Sequence, residues 1–308
     1  MGLSLQTIQS DEFYTRYQDI EAEVSLYKEQ FKDKSVYCNC DDYCASNFVK
    51  FFTDHFDDYQ LKSLTATCLK PQGEYSGVKY FYDGTTEVIT PLIKSGDALE
   101  GVCVELVRQN DIVVTNPPFS IGKDFFKMLL YEQVDFLCIA NINIASSGGV
   151  FPAVKDGILK FGKTHPKYFI AGNNVPDEAI KTIDGQRVVS FGNTCWFTTF
   201  DTGAPPLLEL TKHYSAAEYP KYDNFDAIEV GRITDIPCDY YGAMGVPVTY
   251  LQKHNTQQFD MIWLAGSPGF PEDALEKLRH EPGTSLDAVL DGKRKFNRVF
   301  IQRKKRDK

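Results

Sequence analysis

Residues 111–119 read Asp-Ile-Val-Val-Thr-Asn-Pro-Pro-Phe, an apolar run that stops abruptly at two prolines. Ile112, Val113 and Val114 are consecutive β-branched residues, as expected of a parallel strand covered by helices on both faces. Pro117 and Pro118 each lack the N–H that a sheet ladder needs, so neither extends that strand. The chain must leave the sheet at the strand's carboxyl end, which in an open α/β sheet is where ligands bind.

The turn also has a chemistry. Asn116 offers a side-chain carbonyl, and Pro117 a backbone carbonyl whose direction follows from the locked proline φ. Two acceptors so held can each take one hydrogen of an –NH2 group, drawing its nitrogen out of planarity and freeing the lone pair for attack. Phe119 supplies a flat apolar face for a purine, and no general base is required.

The rest of the chain alternates helical and strand patterns. Apolar residues at 13, 17, 20, 24, 27 and 31, with Ser10 as N-cap, predict an amphipathic helix. A strand over 35–40, an acidic turn with Asn39, Asp41 and Asp42, and a helix with Phe48, Phe52, His55 and Tyr59 on its apolar side open a βαβ unit. A strand over 64–68 follows, then a hairpin of 79–82 and 86–89 about Asp83-Gly84, and a helical stretch over 99–107. Beyond the central strand, Ser120 is placed to cap a helix containing Phe125, Met128 and Leu129, and 134–140 reads as another buried strand. This order implies a doubly wound α/β sheet. Past residue 150 the elements shorten, and Ala204-Pro205-Pro206 reads either as a linker between a first domain, 1–205, and a second, 206–308, or as a loop within one domain.

The net charge is −9, yet nine basic residues face one acid between Lys293 and Lys308. A cationic end on an acidic body suits phosphate contact while the body stays soluble, so Lys293, Arg294, Lys304, Lys305 and Arg306 are expected to touch nucleic acid. Cys38, Cys40 and Cys44 form C-x-C-x3-C without a second ligand pair, so no metal site is expected. No apolar run has the length of a membrane span and no signal-peptide pattern opens the chain, which points to a cytoplasmic protein with reduced thiols and no membrane or obligate protein partner.

Several blocks carry a family resemblance: Phe13-Tyr14-Thr15, Val36-Tyr37-Cys38-Asn39-Cys40-Asp41-Asp42, Gly96-Asp97, the stretch from Asp111 to Ser120, Asn193 to Thr198, and Tyr219 to Ile228. Across nearly its whole length the chain resembles the EcoRI-type adenine-specific DNA methyltransferases. The resemblance implies a Rossmann-like S-adenosylmethionine-dependent methyltransferase sheet followed by a target-recognition region. It also implies methyl transfer from S-adenosylmethionine to N6 of an adenine flipped out of duplex DNA. It places Asn116, Pro117, Pro118 and Phe119 in the catalytic turn, with Asn116 also among the cofactor contacts. Phe13, Tyr14 and Thr15 fall near the methionine end of the cofactor, Cys38, Asn39, Asp41 and Asp42 beside its amino-acid and sugar portions, and Asp97 near its adenine. Trp196 or Phe197 is expected to stack on the target base. Cys40-Asp41-Asp42 stands where many methyltransferases have Gly-x-Gly. The turn alone also suits a methyltransferase for RNA adenine or for a protein glutamine amide, and the fold alone a DNA-binding protein without catalysis.

Overall fold

The computed structural model describes residues 13–72, 75–92, 97–99, 101–172, 175–267 and 269–305. They form two compact units, the first comprising the described residues up to Asn141 together with Leu159–Thr202. This unit runs through β1 (Phe13–Thr15), α1 (Tyr17–Val24), β2 (Ser35–Asn39), α2 (Asn47–Asp54) and β3 (Ser63–Gln72), then the hairpin β4 (Tyr75–Tyr82) and β5 (Glu87–Leu92). It continues with α3 (Gly101–Gln109), β6 (Ile112–Thr115), α4 (Gly122–Glu132) and β7 (Asp135–Asn141). After an excursion that contains α5 (Phe151–Lys155), the chain returns as β8 (Lys160–Phe161), β9 (Tyr168–Ala171), β10 (Lys181–Ile183), β11 (Gln186–Ser190) and β12 (Thr194–Thr198).

Eight of these strands form one mixed sheet in the order β5-β4-β3-β2-β6-β7-β12-β8. Its centre, β3-β2-β6-β7, is parallel, and the β4–β5 hairpin on one side and β12 followed by β8 on the other add antiparallel strands. Side chains alternate across the pleat. Val36, Leu64, Ile112, Val114, Leu137, Ile139 and Trp196 join one core with Ile20 and Val24 of α1 and Phe48, Val49, Phe51 and Phe52 of α2. On α4, Phe126 packs on Phe136 and Phe197, whose ring centroids lie 5.5 and 5.3 Å away. The β-branched run of β6 is fully buried as expected. Helix α2 starts where Ser46 accepts from the N–H groups of Phe48 and Val49 at 3.1 and 3.4 Å, a cap worth about 1 kcal/mol.

Three local expectations are corrected, the first being that α2 ends at Asp54, so His55 and Tyr59 lie beyond the helix expected to carry them. The helix expected from residue 13 begins only at Tyr17 and ends at Val24, beyond which Ser25–Gln30 is 3-10 with a break at Tyr27. Phe13–Thr15 is instead a strand, paired antiparallel with β9 from Phe13↔Ala171 to Thr15↔Phe169. A partner so distant along the chain overrides a local helical period. Ser10 lies outside the described residues. Ser120 does not cap α4, whose N-cap position is Ile121 with no side-chain hydrogen bond.

The second unit comprises Ile142–Ile158 with the described residues from Gly203 onward. It contains β13 (Ala227–Glu229), β14 (Ala243–Pro247), β15 (Phe259–Leu264), α6 (Glu272–Lys277), the hairpin β16 (Ala288–Leu290) and β17 (Lys293–Lys295), and β18 (Arg298–Arg303). Its main sheet has the order β13-β14-β18-β15. Val299, Phe300 and Ile301 of β18 are fully buried. A buried ion pair ties the sheet together. Arg298 forks onto Glu229, with Nη2 at 2.7 Å from Oε1, and Tyr222 donates its hydroxyl to the same carboxylate. Among the described residues no helix is long and apolar enough to cross a membrane.

Candidate active site

Strand β2 pairs with β3 on one side and β6 on the other, so the winding direction of the sheet reverses between β2 and β6. The carboxyl ends of these strands open into a cavity of about 310 Å³. Such a reversal is where α/β sheets hold ligands, because the loops diverge there. Cys40, Asp41 and Asp42 line the cavity from the end of β2, Ser46, Asn47 and Phe48 from the start of α2, and Phe13, Tyr14 and Thr15 from β1. Asn116 and Pro118 line it from the turn after β6, and Asp97 from the segment before α3.

The amide of Asn116 is oriented by a strand far away in sequence, Nδ2 donating to the Phe13 carbonyl at 2.9 Å. That bond fixes Oδ1, which is buried and has no hydrogen-bond partner. A buried acceptor left unpaired costs about 1–3 kcal/mol, so the site is poised for a donor. The Pro118 and Phe119 carbonyls accept from Ile121 and Gly122, whereas among the described residues no hydrogen bond ends on the Pro117 carbonyl. Asn116 Oδ1 and the Pro117 carbonyl are thus the acceptors of the turn left unpaired among the described residues, but Pro117, unlike Asn116, does not line the cavity. Phe119 lies outside the cavity lining, its ring 6.3 Å from Phe13 in a stacked arrangement and 5.5 Å edge-on from Phe191.

Asp41 is buried behind the turn, accepting from the Ser46 hydroxyl at 2.6 Å and from Thr115 Oγ1 at 2.8 Å. Burial lifts its carboxyl to about 7, against the lowering effect of both hydroxyls. Thr115 Oγ1 also contacts the Asn39 carbonyl, and one hydroxyl hydrogen cannot serve both acceptors in full. A proton on Asp41 resolves this conflict. Asp42 accepts from the Cys44 N–H at 3.0 Å and Asp97 from the Leu99 N–H at 2.9 Å, which orients both carboxylates at the cavity. At Cys40 the backbone has φ 70, the left-handed conformation for which glycine is favoured, so the turn without Gly-x-Gly still adopts a glycine-type geometry.

Besides Pro117 and Phe119, which do not line the cavity, four further expected site residues lie elsewhere. Cys38 and Asn39 are fully buried and do not line the cavity. Cys38 faces the core under α1 and α2, and Asn39 donates to the Ala98 carbonyl at 3.4 Å, bracing the segment that carries Asp97. Trp196 and Phe197 are also fully buried, Trp196 against Phe48 and Phe197 between Phe126 and Phe161, so neither can stack on a base. The β-strand that holds them is internal to the sheet, and aromatics there serve packing. Lys293, Arg294, Lys304 and Lys305 are exposed; Arg294 pairs with Asp287 at 2.9 Å and Lys304 with Asp260 at 3.2 Å, while Arg306 lies outside the described residues. Ser46, Asn47 and Thr115 are site residues that the sequence did not single out, because only the tertiary fold brings them to Asp41 and β1.

Residues 5–304 match the family described as adenine-specific methyltransferase EcoRI. The chain is 36% identical to the type II methyltransferase M.EcoRI of Escherichia coli, an alignment that covers 97% of this chain and 95% of that protein. It is 34% identical to M.MpnI of Mycoplasma pneumoniae, over 96% of this chain and 95% of the relative. With M.MgeORF184P of Mycoplasma genitalium it shares 32% identity over 96% of both chains. No solved structure matches. With an Asn-Pro-Pro-Phe turn at a sheet reversal and a family match over almost its full length, the chain belongs to the adenine-specific methyltransferases of the EcoRI family.

Proposed function

We propose that the chain is a site-specific DNA methyltransferase that moves a methyl group from S-adenosylmethionine to N6 of an adenine turned out of duplex DNA. The observation that carries this reading is the unpaired Oδ1 of Asn116, held in place from the amide's other side by Phe13. An exocyclic amine supplies the missing donor, and its second hydrogen meets the Pro117 carbonyl. The pair of acceptors favours the pyramidal nitrogen of the transition state over the planar ground state, so the stabilisation acts on the rate. As N6 forms its bond to the methyl carbon, the donor's carbon–sulfur bond would break and its sulfur leave as a neutral thioether, while the surplus proton on N6 leaves to water.

The cavity fits the methyl donor in charge and shape. Asp42 and Asp97 offer negative charge to a cation, and Phe13, Phe48 and Ile121 offer apolar surface. S-adenosylmethionine, when bound, supplies an electrophilic methyl group on a sulfonium. Asp97 is assigned to the amine of the cofactor's adenine, and Tyr14, Thr15, Asp41 and Asp42 to its remaining polar groups. The first unit is read as a Rossmann-like methyltransferase sheet, and residues 206–308 as the target-recognition region, with Lys293, Arg294, Lys304 and Lys305 on phosphates.

The test is to incubate pooled duplex DNA with methyl-labelled S-adenosylmethionine and to map the modified bases, with structured RNA and peptides in parallel. N6-methyladenine at one short sequence is expected. Label entering RNA or peptide and not duplex DNA refutes the reading.

A further inference from the structure

Phe296 is 67% exposed, although its neighbours in the chain Val299, Phe300 and Ile301 are fully buried. Its backbone is fixed on both sides. Upstream, the β16–β17 hairpin turns at Asp291 and Gly292, whose φ values of 51 and 69 match the tight two-residue turns of rigid hairpins. Downstream, Asn297 has φ 47, and its carbonyl accepts from the Val248 N–H at 3.2 Å. Arg298, clamped on Glu229, donates from Nη1 to the Phe296 carbonyl at 3.1 Å. A rigid mount therefore holds an apolar ring in water, where hydration disfavours it.

The ring directly follows Lys293, Arg294 and Lys295. Arg294 is neutralised by Asp287, but among the described residues neither Lys293 nor Lys295 has an ion pair. On a chain of net charge −9 this combination of uncompensated cations and a stacking surface is a local exception. It matches a polyanion that also presents flat apolar rings, which is the chemistry of nucleic acid: lysines meet phosphates and an apolar side chain enters between bases.

Resting on the reading of the chain as a DNA methyltransferase, we propose that Phe296 is a wedge that enters a base step of the duplex substrate, with Lys293 and Lys295 on the flanking phosphates. It acts on DNA shape and affinity, separately from the methyl-transfer turn.

The experiment measures binding of full-length protein to a duplex carrying the mapped methylation site, across a salt series, with dyes at the duplex ends to report bending. Phe296→Ala is expected to raise Kd about ten- to hundredfold, as loss of a stacked base contact does, and to reduce the bend. Its slope of log affinity against log salt and its melting temperature stay at wild-type values, and Phe296→Trp restores affinity. The double variant Lys293→Gln, Lys295→Gln instead makes that slope shallower by about two contacts' worth. Wild-type binding and bending by Phe296→Ala, or a salt slope altered as in the lysine variant, overturns the wedge while leaving the methyltransferase reading intact. A wild-type protein that neither binds nor methylates any duplex overturns both.

Discussion

The hydrogen bond from Asn116 to Phe13 spans 103 residues and decides which way the Asn116 amide points. Asn116→Ala removes the acceptor from the target amine and, with it, the hydrogen bond to the main-chain carbonyl of Phe13, whose ring stays in the cavity lining. Methyl transfer is expected to fall at least about 10²-fold while cofactor affinity in a direct titration stays near wild type. A variant with near-normal turnover removes Asn116 from the mechanism. The turn was legible in the sequence because its whole chemistry is local, in four consecutive residues. The bond that orients it was not, since Phe13 fits a helical period as well as a strand. Cys40 shows the opposite case, a residue whose role hides behind its type. At φ 70 a Cβ is strained, so two truncations that both delete the sulfur separate the backbone effect. Cys40→Gly is expected to be more stable than Cys40→Ala by about 1 kcal/mol, the reverse of the usual order, in parallel denaturant melts.

At the scale of elements, the sequence placed the central strand, α2, α4 and the β4–β5 hairpin close to where they fall, because each carries its own period, cap or turn. It misplaced β1, which exists only through its pairing with β9, and it took the aromatics of β12 for ligands when strand position makes them core. The contact between β2, α2 and β6 has a consequence for pH. Asp41 joins all three through Ser46, Thr115 and its own place at the end of β2, and its carboxyl is raised by burial to about 7 from a reference of 3.8. The folded state thus binds this proton more tightly than the unfolded chain does. The contribution to stability is full below about pH 4 and declines as pH rises toward 7. Asp41→Asn removes the ionisation at nearly constant shape, so its melting temperature relative to wild type is expected to rise from pH 4 to pH 7 and then level off. Parallel curves across that range contradict the assignment.

For the whole molecule, the chain divides into two compact units, and the Arg298–Glu229–Tyr222 cluster belongs to the second alone. Glu229→Gln leaves Arg298 without its counter-charge in a site where both side chains are largely buried, a change that costs about 3–5 kcal/mol. The expected outcome is a lower melting temperature and weaker DNA binding with cofactor affinity retained. Loss of cofactor binding at a temperature where the first unit remains folded contradicts that division. Legibility was poorest at this scale, since no local signal shows Ile142–Ile158 joining the residues after Gly203. The order of strands adds a constraint on synthesis. β18 lies between β14 and β15 in its sheet, yet follows both in the chain. On the ribosome the elements of the first unit all emerge before it, so a message cut short upstream of Arg298 yields a product with the methyl-transfer cleft and a second sheet missing its middle strand. Such a product lacks the strand that joins β14 to β15, so the second sheet cannot close until the last residues of the chain are made.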